Sequence, residues 1–305
     1  MKILVTGGNG MVGKNILTHQ ESDKYKIIAP TRKELNLINY KDVESYFLLN
    51  KPDIVIHAAG VVGGIHANIL NPVKFLVDNT DIGRNVLIAA KEANIKKMIN
   101  LASSCMYPRF AKNPLIESLI LQGELEPTNE GYALSKIYST RLCEYISKED
   151  SSFIYKSIIP CNLYGYFDKF DPNNSHMLPA VIKKIHEAKV QDLKTVEIWG
   201  NGKAQREFMF AEDLADFIYF AVENLEKLPQ NTNVGLNKDY SINEYYKIIS
   251  KVIGFKGDFT HNLSKPIGMK RKLIDSGAAN KLGWKPKTSL EDGIKKTYEY
   301  YKKNY

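Results

Sequence analysis

Short apolar runs alternate with longer stretches of helical spacing along the first half of the chain. The apolar runs predict strands at residues 2–6, 26–29, 54–57, 97–101 and 153–159. The intervening stretches predict helices near residues 12–20, 40–50, 72–94 and 130–149. Because strands that alternate with helices pair in parallel, the pattern predicts an α/β fold built on a doubly wound parallel sheet.

The second half of the chain follows a looser pattern. After residue 165 the alternation gives way to loops rich in Pro, Asn and Gly and to shorter helices. We therefore predict a first domain over residues 1–165, which also receives part of residues 207–238, and a smaller C-terminal substrate-binding lobe over residues 166–305. No apolar run is long enough to span a bilayer, so we expect no membrane partner.

A glycine-rich turn follows the first predicted strand and opens the first predicted helix. Gly7, Gly10 and Gly13 have the spacing G-x-x-G-x-x-G. Such glycines allow a tight turn and let the backbone approach a pyrophosphate, which then lies on the helix N-terminus, here at Met11 and Val12. The spacing alone is weak evidence, but its place between a strand and a helix predicts a dinucleotide-binding domain of the Rossmann type.

Two more segments at the carboxyl ends of predicted strands are candidate cofactor contacts. Ala58 and Ala59 follow the third strand, at the edge where a doubly wound sheet binds its ligand. Arg32 follows the second strand, where an acidic residue would favour NAD and an Arg accommodates the 2′-phosphate of NADP. Arg32 therefore predicts NADP(H) as the cofactor; the alternative is a solvated surface side chain.

Four polar residues carry the most specific chemical signal. Tyr132 and Lys136 are four positions apart on a predicted helix, so both project from one face. There the ammonium can favour the phenolate and lower the pKa of the phenol. Ser103 follows the fourth strand, where its hydroxyl can hydrogen-bond a carbonyl that is being reduced. Cys105 adds a second possible acid/base group beside the same carbonyl.

The charge of the chain narrows the choice of partners. The sequence has 42 Lys and Arg against 34 Asp and Glu, a formal net charge of +8. These cations are scattered and form no basic arm or aromatic–basic module, which argues against nucleic acid. They suit small polyanions such as NADPH or a nucleotide-sugar, and a generally solvated basic surface explains them equally well. The three cysteines lack metal-ligand spacing, so we expect no metal and a reducing, cytoplasmic setting.

These features together resemble the extended short-chain dehydrogenase/reductase family, and within it the GDP-L-fucose synthase branch (GDP-4-keto-6-deoxy-mannose 3,5-epimerase-4-reductases). The two blocks specific to this branch are Ser103–Pro108 and Pro127–Tyr132. Further matching segments are Val62–Asn68, Asn162–Gly165, Asn174–His176, Trp199–Gly202, Arg206–Phe208, Arg271–Asp275 and Leu282–Trp284. The resemblance thus covers nearly the whole chain.

The resemblance implies a role for each polar residue of the site. Tyr132 would donate a proton to the C4 oxygen of a GDP-linked 4-keto sugar as NADPH delivers hydride to C4. Lys136 would hold the nicotinamide ribose, and Ser103 would polarise the C4 carbonyl. Cys105 and His176 would epimerise C3 and C5, whose C–H bonds the ketone acidifies, and inversion needs groups on both faces. His176 would also contact the cofactor.

Cys105 and His176 each have an alternative interpretation. A buried cysteine is commonly a small packing residue, and a loop histidine commonly caps a backbone group. In neither alternative does the residue exchange a proton with a substrate. The expected epimerase function therefore requires that Cys105 and His176 both act on the sugar.

The resemblance also implies how the GDP and a second subunit would bind. The expected contacts around the nucleotide and its diphosphate are Asn162, Lys184, Trp199, Arg206 and Lys272. Cationic donors there suit phosphate recognition, whereas Trp199 is as easily a core residue as a ligand contact. The helices near residues 72–94 and 130–149 would pair with their copies in a homodimer. The expected setting is the synthesis of a bacterial surface polysaccharide.

Several positions depart from the pattern of the branch, mostly on the substrate side: Val61, Lys184, Phe210, Ile267, Met269 and Lys270. They leave open a 4-keto heptose in place of a hexose, and a C4-reductase without epimerase activity. Asn9 replaces an Arg that often supports the 2′-phosphate, which moderates the NADP prediction. A 4,6-dehydratase is disfavoured because no acidic pair follows Ser103, and a non-catalytic NADPH-binding module would not need the intact hydroxyl and amine set.

Overall fold

A computed structural model describes residues 1–171, 175–265 and 268–305. Two positions named above, Asn174 and Ile267, lie outside these ranges. The strands are β1 Lys2–Thr6, β2 Lys26–Ile28, β3 Ile54–His57, β4 Lys97–Leu101, β5 Ile154–Pro160, β6 Asn162–Tyr164, β7 Thr195–Trp199, β8 Gln205–Arg206, β9 Phe208–Phe210, β10 Asn231–Val234, β11 Tyr240–Ser241, β12 Asp258–Asn262 and β13 Arg271–Lys272. The α-helices are α1 Met11–Thr18, α2 Tyr40–Asn50, α3 Ile65–Leu70, α4 Pro72–Glu92, α5 Glu130–Glu149, α6 Met177–Val190, α7 Ala211–Glu223, α8 Ile242–Ile253, α9 Gly277–Lys281 and α10 Leu290–Asn304.

The larger sheet has six strands in the order β10-β5-β4-β3-β1-β2, and every neighbouring pair in it is parallel. Successive residues of β1 point to opposite faces: Ile3 and Val5 join a core with α1 and α7, and Leu4 joins one with α2, α4 and α5. Helices therefore cover both faces, as the alternating sequence pattern predicted, and the doubly wound Rossmann-type fold is confirmed.

The second half of the chain builds a separate core of its own. Aromatic and aliphatic side chains of α6, α8 and α10 pack there against β6, β7 and β9. Smaller sheets accompany this core: β12 pairs with β7, β6 with β9, and β8 lies between β11 and β13. The pairing of β13 with β8 is parallel and sets Lys272 directly beside Arg206. Two long cationic side chains are thus brought to neighbouring positions at the edge of the smaller core.

Within the described ranges, no helix is both long enough and apolar enough to cross a membrane.

Candidate active site

The glycine-rich turn is closed against the end of β3. Gly7 has a φ of +75°, and a Cβ atom on it would lie 2.7 Å from the backbone nitrogen of Ala59. A Cβ atom on Gly13 would overlap the carbonyl oxygen of Gly7, to which Gly10 also donates a hydrogen bond of 2.9 Å. Glycine is therefore required at Gly7 for the left-handed backbone and at both positions for the close approach.

Thr6 and His57 fasten the two strand ends that flank this turn. The Thr6 hydroxyl lies 2.8 Å from Nδ1 of His57 and accepts a 3.3 Å hydrogen bond from the Ala59 backbone. Burial, with Lys136 nearby, lowers the pKa of the His57 imidazole to about 3. His57 is therefore neutral at physiological pH, and it bonds the Thr6 hydroxyl that holds Ala59 beside the glycines.

The residues expected to bind a dinucleotide fit that ligand. Helix α1 begins directly after Gly10, and no side chain in the described part of the chain caps its first turn. The free N–H groups around Met11 and Val12 are those that a pyrophosphate accepts. Arg32 is exposed in the loop after β2, the edge strand beside β1. Arg32 and the glycine turn both lie at the carboxyl ends of the parallel strands, where the guanidinium would reach a ribose 2′-phosphate.

Ser103 lies in the same group as the thiol of Cys105 and the phenol of Tyr132. It lies between the end of β4 and the helical turn Ser104–Met106. Its hydroxyl caps that turn by accepting a 3.3 Å hydrogen bond from the backbone N–H of Cys105. The same hydroxyl acts to lower the pKa values of the Tyr132 phenol and the Cys105 thiol, against the larger effect of burial. Ser103, Cys105 and Tyr132 therefore form one connected group, as their order along the sequence suggested.

Lys136 lies one turn after Tyr132 on α5, and its environment differs from the expectation. Its ammonium donates a 2.8 Å hydrogen bond to the carbonyl of Leu101 and lies 5.7 Å from the centre of the Tyr132 ring. Burial lowers the pKa of Lys136 to about 8. The pKa of Tyr132 is raised rather than lowered, because the burial of the phenol outweighs the opposing effect of the Ser103 hydroxyl. Tyr132 is thus a protonated phenol.

Cys105 and His176 are also uncharged near neutral pH. Burial raises the pKa of the Cys105 thiol, against the opposing effects of Ser103, Lys272 and Lys136. His176 directly precedes α6, and burial together with Lys272 and Lys169 lowers the pKa of its imidazole to about 4. The charge of Lys272 opposes the rise in the pKa of Cys105 and contributes to the lowering of the pKa of His176.

The expected GDP contacts divide into two groups. Asn162 donates a 2.8 Å hydrogen bond to the carbonyl of Glu207, which places it next to Arg206 and the neighbouring Lys272. Lys184 donates a 2.9 Å hydrogen bond to the carbonyl of Glu197, two residues before Trp199. Trp199 is 46% exposed and Lys265 lies over its ring, so it is not a core residue.

Two residues that position the site were given no role by the sequence, although one of them, Glu207, lies in the matching segment Arg206–Phe208. The side chain of Asn79 on α4 accepts a 2.7 Å hydrogen bond from the backbone of Val61 and donates one of 3.1 Å to its carbonyl. The buried carboxylate of Glu207 accepts hydrogen bonds from the backbones of Leu236, Asn237 and Ile274. Each ties distant segments together, a property that appears only in the folded chain.

Comparison with known proteins agrees with this geometry. The model of the NAD dependent epimerase/dehydratase family matches residues 3–235. GDP-L-colitose synthase of Yersinia pseudotuberculosis is 60% identical, covering 99% of this chain and 98% of its own length. GDP-L-fucose synthase of Azorhizobium caulinodans is 50% identical, covering 98% of this chain and 96% of its own length.

Among solved structures, a GDP-mannoheptose C4 reductase from Campylobacter jejuni with NADP bound superimposes with a TM-score of 0.89 at 32% identity, covering 99% of this chain and 98% of that one. The glycine turn, the Ser103–Tyr132–Lys136 set and the added Cys105 thus occur in a chain whose relatives align over almost their entire length. The chain belongs to the NAD dependent epimerase/dehydratase family, in the branch of the GDP-L-fucose and GDP-L-colitose synthases.

Proposed function

We propose that this protein converts a GDP-linked 4-keto-6-deoxy sugar of the mannose type by epimerisation followed by NADPH-dependent reduction at C4, in the synthesis of a bacterial surface polysaccharide. The observation that carries the proposal is the connected group of Ser103, Cys105 and Tyr132 beside Lys136. It combines the groups of a ketone reductase with a thiol that reduction alone does not need. The relatives at 50% and 60% identity support the same chemistry.

Reduction needs a proton donor at the C4 oxygen while NADPH supplies the hydride at C4. The raised pKa of Tyr132 keeps its phenol protonated and therefore able to donate. The hydroxyl of Ser103 acts on the same phenol and can also donate a hydrogen bond to the C4 oxygen. The positive charge of Lys136 offsets the negative charge that develops on the phenolic oxygen as the proton leaves.

Epimerisation needs two groups on opposite faces of the sugar ring. The C4 ketone acidifies the neighbouring C–H bonds, so removal of one proton leaves an enolate whose negative charge rests on the C4 oxygen. Cys105 and His176 come from separate elements, the turn after β4 and the start of α6. One of them would take the proton from carbon, and the other would return a proton from the opposite face.

The substituent at C3 of the sugar is the more specific part of the proposal. L-Colitose is L-fucose without its 3-hydroxyl, so C3 of its 4-keto precursor is not a stereocentre and only C5 has to invert. The higher identity to a GDP-L-colitose synthase than to a GDP-L-fucose synthase favours the 3-deoxy substrate as a second candidate. A GDP-4-keto heptose that is reduced without epimerisation is the remaining alternative.

Cofactor and assembly complete the proposal. Arg32 at the edge of the sheet supports NADPH over NADH, because a guanidinium pairs with the 2′-phosphate. The solved Campylobacter jejuni relative has NADP bound, which also supports this choice. The exposed apolar side chains of α4 and α5 support a homodimer that is formed through these two helices.

A panel of substrates in D2O tests the proposal. The protein and NADPH are mixed with GDP-4-keto-6-deoxy-mannose, with its 3-deoxy analogue, or with a GDP-4-keto heptose. NADPH oxidation is followed, and product deuteration is read by NMR and mass spectrometry. We expect NADPH oxidation with deuterium at C5 for one of the two hexoses. Oxidation without deuterium would exclude the epimerase function, and no oxidation with any of the three would exclude the reductase function as well.

A further inference from the structure

The β3–α3 segment, from Gly60 to Ile65, runs along the candidate active site. At its start, a Cβ atom on Gly60 would lie 3.8 Å from the ammonium of Lys136. At its end, the side chain of Ile65 lies beside Gly268, where an added Cβ atom would lie 3.4 Å from the guanidinium of Arg206. A nucleotide-sugar that reaches from Lys136 to Arg206 would therefore pass along this segment.

Gly64, in the same segment, lies in close contact with the residue that precedes His176. A Cβ atom on Gly64 would lie 2.7 Å from the backbone carbonyl oxygen of Ser175. The backbone of Gly64 is extended, with a φ of −67° and a ψ of 179°, and any residue can adopt this conformation. Glycine is therefore required here for the close approach of Ser175 and not for its own backbone conformation.

Hydrogen bonds hold the β3–α3 segment on its side of this contact. The side chain of Asn68 donates hydrogen bonds of 3.0 Å to the carbonyl of Gly64 and of 2.9 Å to that of the residue before it. Asn79 holds both backbone groups of Val61. The buried hydroxyl of Ser175, by contrast, has no hydrogen-bond partner within the described ranges. A side chain added at Gly64 would therefore displace Ser175 rather than the segment.

We propose that Gly64 is a positioning residue for epimerisation, because its missing side chain lets Ser175 approach and so sets the place of His176 at the sugar. The inference rests on the proposed function. Ser175 and His176 are consecutive, and His176 directly precedes α6, so a displacement of the Ser175 carbonyl moves the imidazole. Ser103 and Tyr132 belong to other elements, the turn after β4 and helix α5. A side chain at position 64 would thus weaken epimerisation and spare reduction.

The size of the effect follows from contact distances. Nonbonded heavy atoms pack at about 3.5 Å, so a methyl group on Gly64, which would otherwise lie 2.7 Å from the oxygen, displaces the Ser175 carbonyl by roughly 0.8 Å. A misplacement of about 1 Å in an active site costs about a hundredfold in rate. The methyl group should therefore slow proton exchange by about tenfold to a hundredfold.

The experiment compares Gly64→Ala with wild type in two assays on the full chain. The first measures deuterium exchange into GDP-4-keto-6-deoxy-mannose or its 3-deoxy analogue with NADP⁺ bound, and the second measures kcat and KM for reduction of an already epimerised substrate. Gly63→Ala is the matched control, because its methyl group would first meet the side chains of Ala67 and Phe75 and not a backbone carbonyl. Asn68→Ala frees the segment from two hydrogen bonds without adding atoms.

A third measurement does not depend on any substrate. The protein is labelled with ¹⁵N-histidine, and the ring signals of His176 are assigned by their loss from the NMR spectrum of His176→Asn. Without ligand, these signals should shift in Gly64→Ala and keep their wild-type positions in Gly63→Ala. The shift reports the place of the imidazole directly.

We expect Gly64→Ala to exchange deuterium about 10–100-fold more slowly, with kcat for reduction close to that of wild type. Gly63→Ala should keep its exchange. Asn68→Ala should lose exchange by a smaller factor than Gly64→Ala, and it decides the matter where Gly64→Ala does not fold.

Wild-type exchange in both Gly64→Ala and Asn68→Ala would overturn the inference, and so would an equal loss of exchange and reduction in either variant. A loss of exchange in Gly63→Ala as large as that in Gly64→Ala would overturn it as well. A wild-type protein that neither exchanges nor reduces would reject the proposed function, while the histidine signals would still decide whether Gly64 positions His176.

Discussion

At the scale of single residues, burial sets the protonation states of the site. It raises the pKa values of Tyr132 and Cys105 and lowers that of His176. All three groups are therefore neutral at the pH at which the protein would work. A protonated phenol and thiol can donate protons and a neutral imidazole can accept one, which is the set that epimerisation and reduction require.

Deprotonation of Lys136 should lower kcat/KM for reduction at alkaline pH. Burial lowers the pKa of Lys136 to about 8, so its ammonium loses a proton as the pH rises through that value. Because the charge supports proton transfer from Tyr132, we expect kcat/KM for reduction to be full below pH 8 and to fall above it. Initial rates of NADPH oxidation from about pH 6 to about pH 10 measure the limb.

Lys136→Arg supplies the control, since a guanidinium stays charged throughout this range. The variant should reduce more slowly and show no limb near pH 8. A limb at an unchanged pH in Lys136→Arg would assign the titration to another group.

The proximity of these residues could be predicted from the sequence, but their electrostatics could not. Helical spacing placed Tyr132 and Lys136 on one face, and the strand ends placed Ser103 and Cys105 nearby. The expected lowering of the Tyr132 pKa was wrong, because spacing does not report how deeply a phenol is buried or that Lys136 donates to the Leu101 carbonyl. Burial and carbonyl partners come from segments that are distant in sequence.

At the scale of elements, hydrophobic pattern found five of the six strands in the large sheet. It missed β10, whose sequence Asn-Thr-Asn-Val is mostly polar although the side chains of Thr232 and Asn233 are fully buried. Asn233 is accommodated because it accepts a 2.6 Å hydrogen bond from Tyr107 and donates one of 2.9 Å to the carbonyl of Leu115. A buried strand whose polar side chains are satisfied by hydrogen bonds has no apolar pattern from which it could be predicted.

Asn79 offers a test of how α4 supports the loop after β3, which contains the candidate cofactor contacts Ala58 and Ala59. Asn79→Ala removes both side-chain hydrogen bonds to the backbone of Val61 and one of 2.7 Å to the carbonyl of Phe75. We expect a loss of about 1–3 kcal/mol in the free energy of unfolding, measured with urea, and a raised KM for NADPH. Thr80→Ala is the matched control, because among the described residues the Thr80 hydroxyl bonds only its own helix, at the carbonyl of Leu76. It should change stability by less than about 0.5 kcal/mol. Equal losses in the two variants would contradict the role of Asn79.

At the scale of the whole molecule, α4 and α5 pack together and leave apolar side chains exposed. Val73 is 72% exposed and Val77 47% on α4, while Leu134 and Tyr138 are each 40% exposed on α5. A two-fold axis along these helices would bury such side chains in a bundle of four helices. The proposed homodimer would therefore cover the apolar surface of both helices.

Substitutions on this surface should separate the subunits. We expect the protein to have twice the chain mass in light scattering after size exclusion, and Val77→Glu combined with Tyr138→Glu to have the mass of one chain. Val190→Glu changes another exposed apolar residue, 70% exposed at the end of α6, and should leave the dimer intact. A single-chain mass for the unmodified protein would reject this assembly.

The most direct test of the central claim separates the two reactions in D2O. Cys105→Ser should lose deuterium exchange by about 10²–10⁴-fold and still reduce a substrate that has already been epimerised. Tyr132→Phe should lose reduction by a similar factor and still exchange deuterium. Exchange retained in Cys105→Ser, or full reduction by Tyr132→Phe at saturating substrate, would contradict the assignment of these two residues to two separate steps.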